Sequence, residues 1–107
     1  MKVMQVLVAA GSILLSAASY SQAVSDEIGH SVITRCRDQM GSYGASLVKV
    51  CVDQDLEAYA ALKNYEAEWQ SVIDRCSNQM LSTGGWALVK VCTDQDIEAE
   101  KSLREDY

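Results

Sequence analysis

The 107-residue sequence contains no proline, no phenylalanine and a single histidine, His30. Lack of proline argues against collagen or a turn-rich β-sandwich, and an apolar fraction of 49% is too high for a disordered chain. A helical domain fits both observations. Catalytic constellations are missing too: there is no G-x-S-x-G, no phosphate-binding glycine loop and no ligand cluster at metal spacing. An enzyme is therefore not expected, and no cofactor or metal is implied. Positive charge is scarce. Lys2 is the only charged residue among the first 23, so the remainder carries 8 Lys+Arg against 15 Asp+Glu, a balance of -7. That sign disfavours nucleic acid and anionic membranes and favours a basic protein partner.

The first 23 residues have the layout of an export signal. Lys2 supplies the positive start, Val3 to Ala18 an apolar run of 16 residues, and Ser21-Gln22-Ala23 small residues at cleavage spacing. Cleavage is expected after Ala23. The run falls short of the ~18 to 20 residues that span hydrocarbon and is diluted by Gly11, Ser12 and Ser16, so no stable membrane anchor is expected once the signal is removed. The expected location is the periplasm or the secreted medium. Residues 24–107 suit one compact domain and are too few for two independent cores.

That domain is written twice. Residues 31–40 match residues 71–80 at 7 of 10 positions, and residues 47–58 match residues 88–99 at 10 of 12. The offset grows from 40 to 41 between the blocks, so one residue is inserted in the glycine-containing stretch, as a loop allows. Val32, Ile33, Cys36 and Met40 recur at helical spacing, as do Val72, Ile73, Cys76 and Met80. Ser25 is a suitable cap with Asp26 and Glu27 behind it, and Gly41 a plausible stop. A second helix from about Ala45 carries Leu47, Val48, Cys51, Ala58, Tyr59 and Leu62 along one side. The expectation is an all-α domain of two tandem antiparallel helical hairpins, about four helices, with unit 1 at about 25–63 and unit 2 at about 64–107. Asn64 is the best break between the units and a candidate cap for a third helix. With no Gly or Pro to enforce that break, a continuous helix from about Ala45 to Leu81 is the alternative.

Four cysteines in an exported chain of this size suggest two disulfides, with three possible pairings. Cys36 with Cys51 and Cys76 with Cys92 place the same staple in each copy, with the thiols at similar heights on antiparallel helices. Each bridge closes a loop of about 15 residues, for about 3 kcal/mol on the chain-entropy model. Spacings of 15 and 16, with no C-x-x-C, argue for a structural role over a redox one. Met40 and Met80 are expected to fill space beneath the turns.

The most informative chemistry lies in Asp53-Gln54-Asp55 and its copy Asp94-Gln95-Asp96. At 100° per residue Asp53 falls beside Lys49 and Glu57 on the outward side, whereas Asp55 falls close to Cys51 and between Val48 and Leu62. Asp55 and Asp96 are thus aimed inward, where an unpaired carboxylate is costly. Arg35 and Arg75, each directly before a cysteine, are the expected partners of Asp55 and Asp96, helped by the amides of Gln39, Gln54, Gln79 and Gln95. The D-x-D-x-E order lacks the turning loop and central glycine of a calcium site. Tyr43, Trp69 and Trp86 form a candidate binding surface, with Trp86 beside Tyr43 as the sharpest version; packing between the units is the alternative use of these rings.

The paired pattern R-C-x-x-Q-M, a glycine-containing turn and L-V-K-x-C-x-D-Q-D-x-E-A resembles small exported bacterial proteins without an established activity. The resemblance covers nearly all of residues 24–107 and brings no catalytic residue, substrate or cofactor. In layout the chain is also similar to the coiled-coil-helix-coiled-coil-helix group, although those hairpins carry two bridges each and this pattern one. The function expected is a non-enzymatic interaction or envelope-accessory protein with a protein partner. A small-ligand or metal carrier using Asp55, Asp96, Met40 and Met80 is the alternative, and a secreted inhibitor or immunity factor a third.

Overall fold

The computed structural model describes residues 25–107; the signal segment 1–23 and its cleavage point lie outside the described residues. The described chain is all-helical: α1 (Asp26–Met40), α2 (Ala45–Lys63) and α3 (Gln70–Asp106), with short 3-10 turns at Gly41–Tyr43 and Ala67–Trp69. Ser25 opens α1, its hydroxyl accepting from the Ile28 amide at 3.2 Å, and Asp26 and Glu27 sit at the positive end of the helix.

The reversal after α1 is made at Gly44. Gly41 caps the end of α1, as expected of it, but keeps right-handed helical angles (φ -57°) and leads into the 3-10 turn, whereas Gly44 has φ 105°, a region side chains with a Cβ avoid. Helix α2 then ends at Lys63, which removes the continuous 45–81 helix. Asn64 is a C-cap here and not the N-cap expected of it: its side chain donates to the Ala60 carbonyl at 3.3 Å. A short polar side chain can serve either end of a helix, and the backbone at Asn64 is still right-handed (φ -96°, ψ 0°).

Helix α3 is interrupted at Gly85, whose angles (φ 71°, ψ -166°) are not helical. Straight helix would hold Cys76 and Cys92 about 24 Å apart over sixteen residues. Their Cα atoms are instead 5.8 Å apart and joined by a disulfide, so the limbs 70–84 and 86–106 run back along each other. Cys36 and Cys51 are joined across α1 and α2 with the same Cα separation, 5.8 Å. The core collects where α2 meets both limbs of α3: Leu62, Ile73, Cys76 and Val89 are buried together, with Tyr65, Val72, Met80, Leu81, Trp86 and Cys92 packed around them. Met40 does not share the role of Met80. It is more than a third exposed, at the rim of an open cleft that Met40, Leu47 and Val50 share with Gly84 and Ala87 of α3.

Candidate functional site

Helix geometry aims Asp55 across the interface toward α1, and the structure buries it almost completely, at 3% side-chain exposure. Its Oδ2 lies 2.7 Å from Arg35 Nη2. The same guanidinium donates from Nη1 to Gln39 Oε1 at 2.6 Å, and Nη2 lies 3.6 and 3.8 Å from the sulfurs of Cys36 and Cys51. The ion pair therefore sits directly over the first disulfide.

Two further donors come from a different part of the chain. The amides of Trp86 and Ala87, the first two after the break at Gly85, donate to Asp55 Oδ2 and Oδ1 at 3.1 and 3.2 Å. The free N–H groups that open a helix are its electropositive end, and α3's second limb has them capped by a carboxylate on α2. Gln39 adds a third link, donating from Nε2 to the Thr83 carbonyl at 3.0 Å. Gly85 is obligatory twice over: its φ is positive, and a Cβ there would run into the Arg35 guanidinium and the Asp55 carboxylate. Trp86 then lies edge-on to Tyr59, ring centroids 4.8 Å apart. Beside this junction is an open cleft of about 470 Å³ lined by Ser31, Val32, Arg35, Asp55, Ser77 and Trp86, among others.

The second copy of the motif has different surroundings. Arg75 Nη2 pairs with Asp96 Oδ2, but the side chains are 53% and 38% exposed, against 17% and 3% for Arg35 and Asp55. Asp96 is thus only half inside, a correction to the inward placement expected of it. The cause is tertiary. A turn of α3 lies on the Arg35–Asp55 face and supplies two amides to it, whereas Arg75–Asp96 has the short Ala67–Trp69 turn beside it, with Glu68 and Trp69 lining the same cleft, and receives no backbone donor among the described residues. Gln54, Gln79 and Gln95 are exposed, and of the four amides expected to assist, Gln39 alone contacts the arginine of its pair.

Asp53 pairs outward with Lys49 at 2.7 Å. Its counterpart Asp94 holds Lys90 at 2.8 Å and also accepts a hydrogen bond from the Tyr65 hydroxyl. Burial raises the Asp94 carboxyl, but the hydrogen bonds from Lys90 and Tyr65 and the Lys90 charge outweigh it, leaving Asp94 below its ordinary value. Burial first, and the Asp94 contact second, push the Tyr65 phenol up; the Asp94 hydrogen bond, opposed by burial, raises Lys90.

The three aromatic candidates separate. Trp69 is 8% exposed, under the Arg104 guanidinium at 5.3 Å, so it belongs to the packing and not to a binding surface. Trp86 is half-buried against Tyr59 and is not beside Tyr43. Tyr43 alone is open, 69% exposed, close in sequence to the exposed Met40, Leu47 and Val50. Sequence reasoning missed Gly85 and the two amides behind it, and it placed Tyr59 on the apolar side of α2 without pairing it with Trp86. The signals were the inserted glycine, which makes Gly84-Gly85 where the first copy has Gly44 alone, and Tyr59 standing where the second copy has Glu100.

No helix of the described residues is long and apolar enough to cross a membrane. The two disulfides indicate an oxidising compartment outside the cytoplasm. Comparison with family models, with curated proteins and with solved structures finds no match to this chain.

Proposed function

We propose that the chain is a tandem of two disulfide-stapled helical hairpins, units 1 and 2, that acts in the periplasm or outside the cell as a non-enzymatic protein-interaction module. The observation that carries the reading is the apolar surface left at the α1–α2 turn, where Met40, Tyr43, Leu47 and Val50 all stay exposed on a scaffold held rigid by a disulfide and a buried ion pair. A rigid turn bearing tyrosine and aliphatic side chains loses little conformational entropy on binding a protein. The acidic balance favours a basic rim on the partner.

A carrier of metal or small ligands receives less support. Both Asp55 oxygens are already engaged by Arg35 and by two amides, and Met40 and Met80 stand in unlike surroundings. Native mass spectrometry of the oxidised protein, recovered from the exported fraction without chelator, discriminates between the two. The module is expected to carry a polypeptide whose retention is lost in Tyr43→Ala with Leu47→Ala. A stoichiometric ion or small mass that survives those changes would establish the carrier instead.

A further inference from the structure

The tandem reading makes the contact between the units a template. Unit 2 presents a turn: a positive-φ glycine, Gly85, followed by two free amides, Trp86 and Ala87. Unit 1 presents a face: a helix-borne arginine and aspartate, Arg35 and Asp55, which receive that turn. Each unit carries both parts, so one of each is left over. The spare turn is Gly44-Ala45-Ser46. Gly44 has positive φ like Gly85, opens α2, and provides no side-chain cap for its amides, and the first turn of α2 contains no acidic residue. Nothing lies within 4 Å of a Cβ built at Gly44.

The spare face is Arg75–Asp96. Its apolar part is open too: Leu103 is 55% exposed where its counterpart Leu62 is 5% exposed, and Ala99 is exposed where Ala58 is buried. Between the limbs of α3 and the Ala67–Trp69 turn this face forms a cleft of about 450 Å³ whose lining includes Trp69, Val72, Arg75, Asp96, Ala99 and Leu103. The charges match as they do within the chain: the electropositive start of α2 meets Asp96, which is paired with Arg75 as Asp55 is with Arg35, while Glu100 is held by Arg104. From this match we propose that the chain associates head to tail with further copies of itself, the Gly44-Ala45-Ser46 turn of one copy docking on the Arg75–Asp96 face of the next. Such a contact uses unlike surfaces, so it does not close at two subunits and can extend. It is weaker than the contact within the chain, because Ala45 stands where Trp86 does and Glu100 where Tyr59 does, so the aromatic pair is lost.

The proposal rests on the tandem reading, and the test separates their failures. Sedimentation equilibrium of the oxidised full chain, from micromolar to millimolar concentration, is expected to show dimers and then larger species. Ala45→Glu places a carboxylate opposite Asp96 and suits the first turn of a helix, while Asp96→Ala removes the acceptor from a half-exposed position. Each variant alone is expected to associate at least about tenfold more weakly, the worth of one or two charge-assisted hydrogen bonds. Mixed one to one, they retain a single usable interface and stop at the dimer. Ser46→Glu replaces Ala45→Glu should the latter lose helicity by circular dichroism. A monomer at every concentration, or a closed dimer that both variants leave intact, overturns the proposal while leaving the tandem reading. A disulfide map joining Cys36 or Cys51 to Cys76 or Cys92 overturns both.

Discussion

Asp55→Asn and Asp96→Asn are the same change in nearly the same local sequence, and they should differ several-fold in cost. In the first, the side chain keeps its shape but loses its charge, and its amide nitrogen turns a donor either toward the Arg35 guanidinium and the Trp86 amide or toward the Ala87 amide. Arg35 then holds a charge without a counter-ion at 17% side-chain exposure, and breaking a buried pair from one side costs about 3 to 5 kcal/mol. In the second, both partners are more than a third exposed, water screens the change, and the cost is about 1 kcal/mol or less. A domain of this size has a total stability of only about 4 to 12 kcal/mol, so Asp55→Asn should approach global unfolding. Urea titration followed by circular dichroism, at concentrations too low for association and compared only where the slopes agree, gives the two differences. Equal costs within about 1 kcal/mol would refute the claim that burial under the Gly85 turn sets the two aspartates apart.

Other consequences follow from the same contacts. The Thr93 hydroxyl is fully buried without a hydrogen-bond partner, and the matching position in unit 1 is Val52; Thr93→Val should stabilise by about 1 kcal/mol and raise Tm by about 4 to 8 °C, and a lowered Tm would contradict this. Gly44→Ala should lose only the cost of its backbone angle, about 1 to 2 kcal/mol, whereas Gly85→Ala also collides with Arg35 and Asp55 and should lose clearly more; equal thermal shifts would count against the docked turn. Asp94 is held below its ordinary value, so its contribution is complete above the unfolded carboxyl value and disappears as pH falls through the folded one. Asp94→Asn should accordingly flatten the decline of the urea midpoint on acidification, and a slope parallel to that of the unsubstituted protein would show that Lys90 and Tyr65 do not hold it.

Much of the helical architecture was legible because it depends on short-range spacing. The recurrence at Val32, Cys36 and Met40 specifies a helix by local geometry, and a cysteine about one turn before a glycine-containing reversal with another six or seven residues beyond it is a condition that antiparallel helices meet. The break between the units was less legible. No Gly or Pro marks it, and α2 stops at Lys63 with Asn64 closing the helix it was expected to open. Trp69 was ambiguous for a related reason: a tryptophan suits a binding surface or a core equally well, and only the packing of Arg104 over it decides.

By itself the sequence determined helix periodicity, the glycine-containing stretches in which the chain reverses, and the side of each helix on which Asp55 and Asp96 lie, because each of these is set within a turn or two of chain. The tertiary structure decided that these two aspartates live in different solvents. Cys51-Val52-Asp53-Gln54-Asp55 and Cys92-Thr93-Asp94-Gln95-Asp96 differ at one position, yet one final carboxylate is sealed beneath the Gly85 turn and the other is open to water. Burial is a property of what comes to rest against a residue. For Asp55 that is a segment 31 residues further along, whose arrival no local pattern records.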